Sequence, residues 1–424
     1  KFLLRKTEET AKHREEQWSQ YLKAPEHHPE FRATKRRRLA EILGVRLPDG
    51  RAAPYNWLGT TTKTALTDNL NGCSVSFVQI SMLPTPYSST DAITVASARA
   101  LLISSRSSRS TNRVVFIPGE DATTYDLLES ERTLGKHLRT PYVLARQGYY
   151  VIVPLIVTRH EMNRGDRIKL SHREFVYRSS FELGRHPIGY DVQIALTCGA
   201  WLKSTFGCRQ PTVSYYGFGE GGKVAMLAGA LEQAPRNVCI SQYFDERNQL
   251  WQEPIDRNVF GLLAEFGDAE IASMLGPRKL IVDASDGITY AFANKAHGYR
   301  RRVEAASRRR EFERLLRLTE NGEREPNAHF FEDSQQALAE FLDFDDVASL
   351  NETDAKAKEE FDANAGSVRS SSQVVHHVSE IGVRHQVGEL IEYNEMLLAE
   401  SPYVRMERFW NKLDYSSVEA FEKS

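Results

Sequence analysis

The segment Tyr215-Tyr216-Gly217-Phe218-Gly219-Glu220-Gly221-Gly222 has the spacing of a nucleophile elbow, a strand that turns sharply into a helix. Such a turn needs small residues two before and two after its tip, so that the two backbones can approach closely. Thr212 to Tyr216 is a short β-prone run, and Lys223 to Leu231 reads as the helix that follows. The frame G-x-S-x-G-G lies over Gly217 to Gly222, and its tip, where a hydroxyl would attack, falls on Gly219. Glycine carries no hydroxyl. Three readings follow: an acyl-transfer site without its nucleophile, a site with different chemistry, or a glycine-rich turn that serves another purpose.

Acyl-transfer sites of this build place their acid and then their base on loops that follow later strands. Pro277 to Asp283 is a strand ending in an acid, and Asp286 competes for the same role. Asn327-Ala328-His329-Phe330 precedes a helix, Asp333 to Phe341, which makes His329 the candidate base. The acid would hold the imidazole tautomer and stabilise its cation, and the imidazole would take a proton. Backbone N–H groups of Glu220 and of the loop Gly119-Glu120-Asp121 are the candidate oxyanion donors. Two acids sit badly beside a developing negative charge. The Glu220 side chain reads as structural; direct activation of water by Asp283, His329 or Glu220 is the alternative chemistry.

Gly217, Gly219 and Gly222 also fit the dinucleotide fingerprint G-x-G-x-x-G. That fingerprint belongs to a first βαβ unit, with an acid about 20 positions on. Here the turn sits mid-chain, after at least four strands, and Asp245 follows the next strand. Nucleotide binding is therefore the rival reading.

The polar stretch 157–191 is the second candidate surface. It carries His172, Arg173, Arg185 and His186 among other charged residues, and a loop above strand ends could offer Arg forks to a carboxylated or polyhydroxylated ligand. A salt-bridged cover with no ligand is the competing reading. Trp251 could stack on a sugar ring or simply pack. His27-His28 and His376-His377 are adjacent pairs, not i, i+4 pairs on one helix face, so no metal is expected. Cys73, Cys198, Cys208 and Cys239 show no C-x-x-C spacing; Cys198 with Cys208 could join only if geometry allows. No cofactor is expected.

These residues need a scaffold. Ser74–Leu83, Ala98–Ser105, Asn112–Ile117, Tyr149–Val153, Asn237–Phe244 and Lys279–Ala284 read as strands. Between them fall helical segments at 134–146, 187–206 and 255–275, which predicts an α/β fold around a mainly parallel sheet. Two helices, roughly 6–23 and 30–43, lead in, and the basic run Lys35 to Arg38 reads as a solvated helix face. The segment 290–320 reads as a basic helix, 345–380 as a polar linker, and 385–422 as an amphipathic helix. The organisation expected is an arm over 1–73, a core domain over 74–345 with the insertion 157–191, and an extension over 346–424. With 424 residues, 26% charged and a net charge of -2, the chain gives no reason to expect a nucleic-acid or membrane partner. The first residue is Lys1, which reads as a processed or trimmed start.

The run Tyr142 to Pro154, the Gly217–Gly222 turn, the strand Gly276 to Val282 and His329 together resemble the α/β-hydrolase superfamily, within it the dienelactone-hydrolase and acetyl-xylan-esterase-like group. With His172-Arg173-Glu174-Phe175 and Phe260 to Asp268, the chain looks most like the N-terminal half of large bacterial, planctomycete-type proteins with two hydrolase-like domains in tandem. The resemblance covers about residues 74–345. It implies a carbohydrate or other small-molecule ligand, an exported protein, and a second hydrolase domain after the C-terminus. Gly219 departs from the family pattern, so the family's activity does not carry over with the fold.

Overall fold

The computed structural model describes residues 2–22, 28–47, 61–84, 94–109, 111–119, 122–128, 136–164, 168–206, 212–232, 235–275, 278–285, 304–319, 327–362 and 372–424. Eleven strands occur among them: β1 Thr61–Leu70, β2 Cys73–Pro84, β3 Thr94–Ser104, β4 Arg113–Ile117, β5 Tyr150–Pro154, β6 Glu161–Arg164, β7 Ile168–Ser171, β8 Ser214–Phe218, β9 Asn237–Ser241, β10 Lys279–Asp283 and β11 Ala328–Phe331. Nine form one sheet in the order β1-β2-β3-β5-β4-β8-β9-β10-β11, while β6 and β7 pair as a separate hairpin. Pairing is antiparallel from β1 through β5 and parallel from β5 to β11. The mainly parallel α/β architecture expected from the sequence is the one observed.

The helices are α1 Phe2–Leu22, α2 His28–Leu43, α3 Lys136–Arg146, α4 His172–Ser180, α5 Pro187–Thr205, α6 Glu220–Leu231, α7 Leu262–Glu265 and α8 Asp268–Ser273, then α9 Ala305–Thr319, α10 Ser334–Phe341, α11 Val347–Asp362, α12 Ser372–Arg408 and α13 Val418–Lys423. Strand side chains alternate between two cores. Val115, Ile117, Tyr215, Ile240 and Val282 pack with α5, α6 and α8 on one face; Val114, Phe116, Tyr216, Cys239 and Ile281 pack with α3 and α10 on the other. Strands covered on both faces read as continuous apolar runs, which is why the central ones were legible.

Three segments depart from expectation. Asn71 and Gly72, at φ 53° and 80°, make the two-residue turn of a β1–β2 hairpin, so the boundary drawn at 73/74 cuts a paired unit. The stretch read as helix over 255–275 contains a 3₁₀ turn and the short helices α7 and α8. The stretch read as a linker over 345–380 includes α11, anchored where Arg146 Nε and Nη2 donate to Asp354 at 2.7 and 2.8 Å.

The C-terminal helix α12 is built into the body. Its Glu389 accepts from both Nη atoms of Arg99 at 2.9 and 2.6 Å and from the Ser97 N–H at 2.9 Å, on β3. Gln386 Nε2 donates to Leu155 O at 2.6 Å, just beyond β5, and Asn394 Nδ2 donates to Ser179 Oγ at 3.0 Å. Tyr190 OH donates to Asn394 Oδ1. Gly382 lets the helix close on Tyr125, whose hydroxyl would lie 2.2 Å from any Cβ there. The helix thus lies against β3 and the C-terminal end of β5.

Candidate functional site

Gly219 stands between β8 and α6 at φ 57°, ψ −125°, a backbone conformation that a residue with a Cβ adopts only under strain of roughly 1–3 kcal/mol. Its N–H donates to Ser241 O at 2.9 Å, and its carbonyl accepts from the Gly222 N–H at 2.9 Å. The flanking glycines are there for close approach. A Cβ at Gly217 would sit 2.0 Å from Gly221 O, one at Gly221 2.2 Å from Ile117 O, and one at Gly222 2.9 Å from Ser241 O. Gly119 gives way to the Phe218 ring, 3.1 Å from where its Cβ would be. Phe218 stacks on His137, ring centroids 4.3 Å apart. The glycine-rich turn thus packs against strand backbone, as an elbow does; in a dinucleotide site the glycines would instead clear room for a pyrophosphate.

Asp283 ends β10 and is buried. Its Oδ2 accepts from Ser241 Oγ at 2.5 Å and its Oδ1 from the Ser285 N–H at 2.9 Å. Asp286, Glu120 and Asp121 lie outside the described residues.

His329 is not where the sequence reading set it. It lies inside β11, opposite Ile281, on the face that carries α10. Its Nε2 meets Asn327 Oδ1 at 2.8 Å, its Nδ1 is 3.9 Å from Glu340, and its side chain is 37% exposed. Register aligns Phe331 with Asp283, Asp283 with Ser241, and Ser241 with Phe218. His329 is therefore three strands across and two residues short of the strand end, on the order of 15 Å from Gly219 at ordinary strand spacings. The loop that does follow β11 reads Glu332-Asp333, leading into Ser334, and holds no imidazole. Asp333 caps α10, accepting from the N–H groups of Gln335 and Gln336 at 2.9 Å each.

Beside the elbow the interior is filled with paired charge. Glu220 accepts from Arg159 Nη2 at 2.8 Å and Nε at 3.3 Å, and from Arg257 Nη1. Asp256 accepts from Arg159 Nη1 at 3.2 Å and Nη2 at 2.6 Å, with Arg173 Nε 3.1 Å away. Arg173 Nη1 donates to Asp191 at 2.6 Å and to Val157 O at 2.9 Å. Arg257 Nε donates to Glu253 at 2.6 Å, and Lys223 Nζ to Arg257 O at 2.9 Å. Burial opposes the charge on Glu220, but Arg159, Arg257 and Arg173 overcome it and hold its carboxyl well below the usual range. A base so held has little proton affinity. Burial, with Arg257 and Arg247 nearby, lowers Lys223 to about 7.

The other sequence candidates are placed as follows. Arg173 is buried and its fork is spent on the protein's own carboxylates, which corrects its reading as a ligand clamp. Arg185 donates to Gly44 O, tying α2 to the loop before α5. His186 is the cap of α5, its Nδ1 accepting from the Ile188 N–H at 3.1 Å; burial and the charges of Lys223 and Arg173 hold its imidazole well below the usual value, so it is neutral. His172 is buried 5.9 Å from the His160 ring. Trp251 is 42% exposed at a small cleft against α1, shared with Lys6, Thr10 and Asn248. Asp191, Asp256 and Arg257 were missed. The available signal was Asp191, the one charged residue in the mostly apolar run Pro187 to Leu202. Among the described residues no group of three or more His, Cys, Asp or Glu has metal-binding geometry, and no helix is long and apolar enough to cross a membrane.

No family model matches the chain, and the search of curated proteins found no match. Solved structures do share its fold. A candidate acetyl xylan esterase from Bacteroides fragilis superposes with a TM-score of 0.51 at 13% identity, over 74% of this chain and 77% of that one. A methylesterase matches at 0.47 and 13% identity, over 75% and 66%, and a glucuronoyl esterase from Solibacter usitatus at 0.41 and 12%, over 76% and 92%. The chain has the α/β-hydrolase fold.

Proposed function

We propose that this is a non-catalytic α/β-hydrolase domain that binds a ligand, or supports a catalytic partner, on or near carbohydrate esters. The observation that carries the reading is at the elbow: Gly219 keeps the backbone of a nucleophile position while the loop after β11 holds no imidazole. Among the described residues, neither the hydroxyl nor the imidazole of such a triad stands at its expected place in the frame. The substrate class is taken from the Bacteroides fragilis neighbour and rests on likeness of fold. The tandem arrangement with a second hydrolase domain, and export, remain part of the same proposal.

The test is turnover of p-nitrophenyl acetate together with labelling by a fluorophosphonate probe. Neither should exceed the blank, since losing a triad's nucleophile removes on the order of 10⁶ in rate. Turnover that disappears in Asp283→Asn would mean that the site does chemistry after all.

A further inference from the structure

Ion pairs surround Glu220 beside the elbow, and an open cleft of 390 Å³ lies one residue away from Arg173 along α4, between that helix, the β6–β7 hairpin and α12. That volume is within the range of small-molecule sites, roughly 300–1,000 Å³. Met162, Phe175, Val387 and Ile391 make its apolar floor, and His172, Arg384, Glu392 and Glu395 make its polar wall. From Arg384 to Glu395 the wall follows α12 for about 16 Å.

Gly388, in the middle of this wall, is the informative residue. It lies inside a helix, at no left-handed φ, and a Cβ built there meets nothing within 4 Å. Glycine inside a helix costs stability relative to alanine. At Gly382, six residues earlier, the contact with Tyr125 explains the glycine; at Gly388 no packing among the described residues does. The bare backbone keeps the cleft open.

We infer that the cleft between α4 and α12 is a binding site for a neutral oligosaccharide segment, the ligand site of a hydrolase fold whose elbow has fallen silent. The inference rests on the ligand-binding reading above and names its ligand. A sugar ring has an apolar C–H face and a hydroxyl rim. The floor suits the first; Glu392 and Glu395 accept from hydroxyls and Arg384 donates to them. Two carboxylates against one guanidinium disfavour an anionic chain. The cleft is also joined to the old site: His172 lines it, while the adjacent Arg173 reaches Asp256 at 3.1 Å and Glu220 at 3.8 Å.

Calorimetry on the full chain tests this with xylohexaose, cellohexaose, mannohexaose and hexagalacturonate. At least one neutral hexaose should bind, and hexagalacturonate more weakly. Gly388→Leu should weaken binding about tenfold or more while leaving Tm unchanged or raised, because the added side chain fills the cleft and favours the helix. Glu392→Gln with Glu395→Gln should weaken it with no loss of Tm. Absence of binding by every neutral hexaose, or binding untouched by Gly388→Leu, overturns the inference. So does tighter binding of a lysine-rich peptide that Gly388→Leu blocks, which would assign the cleft to protein. Turnover of p-nitrophenyl acetate would fail the non-catalytic reading and leave these titrations standing; glycan binding insensitive to Gly388→Leu would fail the cleft alone.

Discussion

The carboxylate of Glu220 and the guanidinium of Arg159 meet as a two-point pair, Nη2 to Oε1 at 2.8 Å and Nε to Oε2 at 3.3 Å, one residue beyond the tip of the elbow. Arg159 follows β5 and Glu220 opens α6, so the pair ties the 157–191 insertion to the helix that the elbow launches. Arg173 and Arg257 extend it to α4, α5 and the turn 253–257.

Glu220→Gln should therefore destabilise the fold by about 3–5 kcal/mol, the usual cost of removing one partner from a buried pair. Arg173 and Arg257 are too deeply buried for solvent to replace the lost charge. Urea denaturation measures the loss, and a change below about 1 kcal/mol would mean that the cluster is solvated. The pH dependence has a definite sign. The folded carboxyl of Glu220 titrates well below its unfolded value, so its contribution is complete above the unfolded pKa of about 4.3 and is lost as pH falls through the folded one. Glu253, also lowered against burial by Arg257 and Arg247, acts in the same sense.

Gly219→Ser should fold and remain inactive. The strain of roughly 1–3 kcal/mol at φ 57° is within what a domain of this size absorbs. Among the described residues the loop after β11 brings the new hydroxyl no imidazole, since His329 faces α10 from within β11. A fluorophosphonate probe and p-nitrophenyl acetate read the result. Robust labelling of Gly219→Ser that His329→Ala abolishes would restore the triad that the register opposes.

Gly217→Ala and Gly221→Ala should be worse than Gly219→Ser, though each adds only a methyl group. The added carbon would stand 2.0 and 2.2 Å from carbonyl oxygens, and neither strand nor helix can yield without losing its ladder. Losses above about 4 kcal/mol, or no soluble protein, are expected on that account. Thermal melting of purified variants checks the order.

The sequence made the central strands legible because they are apolar on both faces, and it made the elbow legible because Gly217, Gly221 and Gly222 are demanded by backbone contact. His329 misled for a local reason. A four-residue edge strand carrying a histidine between Ala328 and Phe330 does not look different from a loop before a helix, and only register shows which it is. β1 was missed because its side chains are polar, yet Asn71-Gly72 was a hairpin signal in plain view. The charge cluster was beyond reach: Arg159, Asp191, Glu220 and Asp256 are scattered over almost a hundred residues and meet only after the sheet has formed.

Asp245 gives the last prediction. It follows β9, buried, with its Oδ1 accepting from Ser307 Oγ at 2.5 Å on α9. Burial raises its pKa to about 7 despite the attraction of Arg247. Facing it are Glu246, Arg247 and Asp268, the last already paired with Arg247 at 2.5 Å. The folded state holds a proton there that the unfolded chain releases near 3.9. Stability should accordingly be greater at low pH with respect to this group and fall as pH climbs from about 4 to about 7. Lys223, lowered to about 7, acts in the next window: the unfolded chain holds its proton up to about 10.4, so stability recovers between 7 and 10. Together they predict a minimum near neutrality superimposed on the acid loss from Glu220. Asp245→Asn should remove the fall between pH 4 and 7 and leave the alkaline recovery in place. Chemical denaturation at five pH values, in the parent and in Asp245→Asn, separates the two slopes; identical profiles would show that Asp245 ionises freely in the folded protein.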